Sequence, residues 1–217
     1  YYDEGYIKAR VGSPKVELSP DRKQIHVTLS VEEGERFKTG ELDVTGDFLP
    51  DHPKEEMVKL VALKTGDWFS SMKLRETIQK VGAVYKDAGY AYVNIVPNTQ
   101  VREDDKLVNL TVDIDKGEKV RFGRITIIGN TRTRDKVIRR ELRIYEGEYY
   151  SSSALERSKR LVTRLGFFET VDIQTTRGDT EDSMNVVVEV KEKPTGTFQI
   201  GAGFSSIESF VAQAQIA

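Results

Sequence analysis

Ile25, Val27, Leu29 and Val31 alternate with polar residues, as do Val108, Leu110, Val112 and Ile114, and again Met184, Val186, Val188 and Val190. Successive side chains of a strand point to opposite faces, so each stretch predicts a β-strand with one face buried. Elsewhere the spacing turns helical. "RDKVIRRELRIY" sets Ile138, Leu142 and Tyr145 at i, i+4 and i+7, one apolar stripe on a helix. A second helix is predicted to begin near Ser151 to Ser153, where Ser153 and Glu156 have capping-box spacing. Its stripe is Leu155, Ser158, Val162 and Leu165, with Leu161 beside it, and Gly166 stands where a left-handed C-terminal cap is needed.

The pattern repeats. "YYDEGY" at Tyr1 to Tyr6 returns as "YKDAGY" at Tyr85 to Tyr90 and, more distantly, as "VTRLGFF" at Val162 to Phe168. Gly34, Gly40 and Gly46 recur at the same spacing as Gly117, Gly123 and Gly129, a period of about eighty residues. Each full repeat reads β-α-α-β-β, a small sheet covered on one side by two helices. Sixteen residues run from Leu74 to Gly89 inclusive, against twelve from Leu155 to Gly166, so the middle repeat's second helix is predicted to be about one turn longer. The first repeat keeps only the end of its second helix and two strands, and the chain reads as a fragment cut at both ends.

Composition narrows the function classes. Charged residues make up 31% of the 217, but the net charge is only -2, which lowers the case for a nucleic-acid binder. Cysteine is absent, which removes disulfide frameworks, cysteine-based zinc sites and thiol nucleophiles. No run approaches the roughly 18 apolar residues of a membrane helix. His26 and His52 are remote in sequence, and neither a nucleophile elbow nor a Gly-rich phosphate loop occurs, so no catalytic residue, metal site or cofactor is expected. The last stretch, "TFQIGAGFSSIESFVAQAQIA", has no charge after Glu208 and alternates again. Phe198, Ile200, Ala202 and Phe204 fall on one face, then Phe210, Ala212, Ala214 and Ile216, which predicts a hairpin with one apolar and one small, polar face.

"RFGRITIIGNTRTRDKVIRRELRIYEGEYYSSSALERSKRLVTRLGFFETVDI" resembles a POTRA domain, and "VVVEVKEKPTGTFQIGAGFSS" resembles the join between the last POTRA domain and the β-barrel of the BamA family of outer-membrane assembly factors. The resemblance implies an α+β fold of tandem POTRA domains, each a three-stranded mixed sheet with two helices. Residues 1–34 would be the end of one such domain, 35–117 and 118–193 complete ones, and 194–217 the first hairpin of a transmembrane barrel. It further implies a non-enzymatic role on the periplasmic side of the outer membrane of a Gram-negative bacterium. The implied partners are unfolded outer-membrane β-barrel proteins, accessory outer-membrane lipoproteins and, through the barrel, the outer membrane itself, with no nucleic acid.

Two candidate sites emerge. In the POTRA fold the second strand lies at a sheet edge, and an edge can capture an extended chain by backbone pairing. Pro14 and Pro97 fall in or beside that strand in the first two repeats, whereas Val171, Asp172, Ile173, Gln174, Thr175 and Thr176 of the last repeat include none, leaving their donors available. Prolines that blunt an edge against aggregation are the plain alternative. Residues 130–166 carry ten Lys/Arg against five Asp/Glu, and Arg139, Arg143 and Glu146 lie at i, i+4 and i+7 on a face separate from the Ile138 stripe. They are the candidate docking face for a lipoprotein, the alternative being a solvated helix face. Two other functions stay open: the POTRA region of a two-partner secretion transporter, which typically carries two such domains, and an RNA-binding α/β module, against which the acidic "YEGEYYSSS" between the helices speaks.

Overall fold

The computed structural model describes residues 1–20, 22–194, 198–203 and 211–216, the last two stretches as backbone. By its internal contacts the chain divides into a first unit, residues 1–120 with 149–153, and a second, residues 121–148 with 154–217.

The first unit opens with one turn of 3-10 helix, Tyr2–Glu4, and two ribbons: β1 (Arg10–Val11) pairs with β4 (Val31–Glu32) and β2 (Lys15–Leu18) with β3 (Ile25–Thr28), both antiparallel. The alternation here predicts a buried face, and the structure corrects this: Ile25, Val27 and Leu29 are 66%, 58% and 55% exposed. Alternation reports only that a face is suited to burial. Among the described residues no helix lies against this ribbon to cover it.

The rest of the unit runs β5 (Lys38–Gly46), α1 (Lys54–Lys59), α2 (Ser71–Asp87), β6 (Asn94–Arg102) and β7 (Leu107–Asp115). The sheet order is β5-β7-β6, so the last strand lies in the middle, parallel to β5 and antiparallel to β6. Val108, Leu110, Val112 and Ile114 of β7 form one core with Val44, Met57, Val81 and Tyr85. Each such side chain, fully buried, contributes about 2 kcal/mol. Tyr85 is wholly buried, which raises its pKa, and its hydroxyl donates to the Asp47 carbonyl at 2.7 Å, so the one polar atom it brings inside is satisfied.

The 3-10 turn is tied into this unit by a set of bonds that recurs. Asp3 accepts from the Met72 N–H and the Ser70 hydroxyl at the start of α2, and Gly5 O accepts from Phe37 N. One repeat on, Asp87 accepts from the Ser151 and Ser152 hydroxyls and the Ser153 N–H, and Gly89 O accepts from Val120 N, all within the same unit. Partial burial pushes the Asp87 carboxyl up, but the Ser153 N–H and the serine hydroxyls more than offset this and hold it below its ordinary range.

The second unit contains β8 (Arg121–Ile128), α3 (Asp135–Arg139), most of α4 (Ser152–Arg164), β9 (Phe168–Arg177) and β10 (Ser183–Glu192). The order is β8-β10-β9, again with the last strand central, parallel to its first neighbour and antiparallel to its second. The fold is α+β as expected, with two three-stranded mixed sheets. The buried faces of β7 and β10 are the predicted ones, with Met184, Val186, Val188 and Val190 at most 5% exposed. Helix α2 has 17 residues and α4 has 13, the predicted extra turn. Gly166 has φ +77°, the left-handed cap. Finally β11 (Phe198–Gly203) pairs antiparallel with β12 (Val211–Ile216), a hairpin whose predicted side-chain faces lie outside the described residues.

Two helix expectations are corrected. Helix α3 stops at Arg139, so the stripe does not reach Tyr145, which is 57% exposed while Ile144 is buried. The reason is Ser158, the polar member of the α4 stripe: its hydroxyl accepts the Arg143 N–H (2.7 Å) and donates to Ala154 O (2.7 Å), so the chain leaves α3 with its backbone satisfied elsewhere. Thr77 plays the same part in the first unit, accepting from Ala62 N and donating to Lys73 O. Helix α4 begins at Ser152, and the Ser153 N–H donates to Asp87 rather than to Glu156 as a capping box would require.

Ser158→Ala should therefore destabilise the protein by about 1–2 kcal/mol, because a buried N–H loses its acceptor. Ser158→Thr should cost less, since Thr77 already fills that role in the first unit. Urea unfolding of the three proteins measures both.

Candidate functional site

One outer strand of the sheet in the second unit is β9. Among the described residues it pairs with β10 alone, from Met184↔Arg177 to Glu192↔Phe168. The shift between Lys191 and Glu192 leaves Glu169 as an extra residue, a bulge that bends the start of the strand. In an antiparallel edge strand alternate residues turn their N–H and C=O away from the sheet. Val171, Asp172, Ile173, Gln174, Thr175 and Thr176 all lie in this strand beyond the bulge, and the first three are half-buried. No proline interrupts them, whereas Pro97 sits inside the equivalent β6, opposite Val112. Asp172 accepts from Gln174 Nε2 and Lys159 Nζ, both at 3.1 Å, and these bonds hold its carboxyl below the usual range.

Arg139, Arg143 and Glu146 are all exposed, but they do not share one helix. What joins two of them is the backbone of Ile125: Arg139 Nη2 donates to Ile125 O at 3.2 Å, and Glu146 Oε1 accepts from Ile125 N at 2.8 Å. Arg139 also pairs with Asp135 at 3.5 Å. Arg143 turns back on its own segment, donating to the carbonyls of Arg140 (3.3 Å) and Leu142 (3.4 Å).

Ile125 needs these partners because β8 is bulged. Its register with β10 steps from Phe122 straight to Ile125 while β10 advances from Met184 to Val186. Asn185 Oδ1 fills the gap by accepting the Arg124 N–H at 2.7 Å, so close to Gly123 that any Cβ there would overlap it. The first unit repeats this device with Asn109, Glu41 and Gly40. The glycine spacing visible in the sequence thus records a bulge held by an asparagine on the central strand. Both asparagines stand between the first two inward apolar residues of their central strand, and that shared position is the one signal that could have found them.

A further anchor is also invisible to spacing. Glu192, at the end of β10, accepts from the Thr131 hydroxyl (2.9 Å) and from the backbone N–H groups of Arg132 (3.0 Å) and Thr133 (2.6 Å). Hydrogen bonding from the Thr133 side chain lowers its pKa most, partial desolvation opposes this, and the backbone of Thr133, the Thr131 side chain and the backbone of Arg132 add to the lowering, down to about 2.

The profile of the POTRA family, described as surface antigen variable number repeat, matches residues 37–117 and 120–193. The outer membrane protein assembly factor BamA of Neisseria meningitidis is 30% identical over 217 residues, covering 100% of this chain and 27% of its own length. The protein of the same name from Nitratidesulfovibrio vulgaris is 32% identical over 96% of this chain and 26% of its own length. This chain therefore spans about a quarter of these curated relatives. Among solved structures, BamA POTRA3-5 of Haemophilus influenzae superposes with a TM-score of 0.80 at 26% identity, over 88% of this chain and 75% of that one. BamA of Haemophilus ducreyi lacking POTRA domains 1-3 gives 0.63 at 27% identity, over 83% and 34%.

The Glu192 anchor has a pH signature. Its folded pKa is lowered from an ordinary 4.5 to about 2, so the stability it supplies is full above about 4.5 and is lost as pH falls towards 2. In Glu192→Gln that pH-dependent part should vanish, and the amides of Arg132 and Thr133 should exchange faster at neutral pH. Acid titration of stability and amide exchange check the two halves separately.

Proposed function

This chain belongs to the POTRA family, and from that premise we propose that it is the POTRA region of an outer-membrane protein assembly factor, working by capture of nascent β-strands. It sits on the periplasmic side of the outer membrane of a Gram-negative bacterium and acts by binding rather than by chemical turnover. The observation that carries this reading is the β9 edge, paired on one side only among the described residues and free of proline. Backbone pairing asks little of side chains, so such an edge suits clients that share β-propensity and little else. Val171 to Thr176 are the proposed contact strand. Arg139 and Arg143 are proposed to meet an accessory lipoprotein, with Glu146 positioning Arg139 through Ile125. The names of the relatives, outer membrane protein assembly factors, support the same role. We divide the chain at 1–34, 35–117, 118–193 and 194–217, and read the paired β11 and β12 as the first hairpin of a barrel.

A peptide alternating aromatic with Gly, Thr or Gln residues serves as client. It should slow amide exchange within Val171 to Thr176. Of the neighbouring variants Ile173→Pro and Gln174→Pro, one removes an outward N–H and should weaken peptide binding by roughly tenfold or more with the fold intact, while the other removes a bond to β10 and should destabilise the sheet. Protection that appears elsewhere, or binding indifferent to both prolines, would overturn the edge as the site.

A further inference from the structure

Strand β8 is as much an outer strand as β9, and among the described residues it pairs with β10 alone. On the side away from β10 its backbone groups are nevertheless occupied. The segment that precedes α4 straps the start of the strand: Gly147 N donates to Phe122 O at 2.7 Å, Phe122 N to Glu148 O at 2.8 Å, and Arg121 Nη1 to Gly147 O at 2.7 Å. Beyond the bulge two side chains take over from the strap. The N–H and C=O of Ile125 meet the Glu146 carboxylate and the Arg139 guanidinium, one acceptor and one donor, which is the complement that a neighbouring strand would offer. The first unit lacks this pair. Aligned on Gly66 and Gly147, Thr65 and Val58 stand where Glu146 and Arg139 do. Val58 has no polar side-chain atom, and the Thr65 hydroxyl donates to Gly40 O at 2.9 Å rather than serving Leu42, the counterpart of Ile125. The difference follows the prolines: Pro97 interrupts β6, the other outer strand of the first unit, whereas β9 contains none. The sheet with the proline-free strand is the one whose opposite edge carries the charged pair.

We propose that Arg139 and Glu146 stand in for a neighbouring strand and close the β8 edge of the second unit, so that an extended client pairs at β9 alone. The choice of client rests on the strand-capture reading, whereas the closure rests on the bonds at Ile125. Both partners of Ile125 are ionised, and a charge-assisted hydrogen bond is roughly twice as strong as a neutral one. A client's backbone offers only neutral groups in exchange. The two side chains act as a unit, because Glu146 by itself would leave the Ile125 carbonyl open and Arg139 by itself would leave the N–H. Asp135, one helical turn before Arg139, pairs with it at 3.5 Å and steadies the guanidinium. Past Ile125 the strand runs only to Ile128, too short a stretch for an added strand to hold. Charge set on an edge is a general means of refusing strand addition, and here it is aimed at one peptide N–H and one carbonyl.

Amide exchange of the full chain, followed by NMR, tests the closure first without a client. Arg139→Ala with Glu146→Ala should speed exchange at Ile125 on the order of tenfold, since a bond to a charged acceptor is lost. Glu146→Gln keeps an acceptor oxygen and should speed it less. Arg143→Ala should leave Ile125 unchanged, because that guanidinium turns to the carbonyls of Arg140 and Leu142. Unaltered exchange at Val186 and Val188 reports that the sheet is intact in each variant. With the alternating aromatic peptide as client, the parent should gain protection on β9 only, and the double variant should also gain it at Ile125 and Ile127 and take up a second peptide per chain. Exchange at Ile125 that does not respond to the double substitution overturns the inference, and so does a peptide that binds β9 yet never reaches the opened Ile125. A parent that binds no peptide at all removes the strand-capture reading instead. The closure is then judged by sedimentation: the double variant should self-associate more strongly than the parent, and equal association overturns it.

Discussion

In both sheets the strand that comes last in the sequence lies in the middle, and its four inward apolar residues are almost wholly buried. That burial constrains everything around it. A central strand needs a neighbour on each side, and here it takes β5 or β8 in parallel and β6 or β9 antiparallel. The two outer strands are then edges by necessity. The hydrophobic effect, acting on Val108 to Ile114 and Met184 to Val190, thereby leaves β9 paired on one side only among the described residues.

An open edge is a hazard as well as an opportunity, and the two sheets treat it differently. Pro97 interrupts β6. On β9 the chain uses other means: a bulge at Glu169, an ion pair from Lys191 to Glu169 at 2.7 Å, and Asp172 bound by Lys159. These measures bend or charge the strand near its start and leave the donors of Ile173 to Thr176 in place. An edge blunted at one end only is the arrangement the proposed strand capture requires, guarded against indiscriminate sheet growth at its start and unobstructed beyond it.

How much of this was legible in the sequence depends on the range of each interaction. Alternation and helical spacing are local, so the central strands, the α4 stripe, the extra turn of α2 and the cap at Gly166 could all be read directly. Alternation at Ile25 to Val31 was equally clear and yet misleading, because burial needs a covering partner that a strand's own sequence does not contain. The end of α3 was missed because Ser158, 15 residues away, supplies the acceptor that ends it. Asn185 and Glu192 were missed because their partners are about sixty residues distant and neither residue belongs to an apolar stripe. Of the candidate site, the edge strand could be read because topology dictates it. The link between Arg139 and Glu146 could not, since it passes through the backbone N–H and C=O of Ile125.

The same distinction explains how a repeated scaffold acquires different ends. The bulge clamps Asn109 and Asn185 recur because every copy must hold its first strand against its central one. Nothing inside a repeat requires an acid at its helix end. The acids Asp3 and Asp87 answer to the helix start of the next repeat, and Arg164 can replace them without disturbing the fold. Glu192, by contrast, acts within its own repeat. By fixing the loop that carries Arg132 to the end of the central strand, immediately before Lys193, it lets the buried core dictate where the surface cations stand.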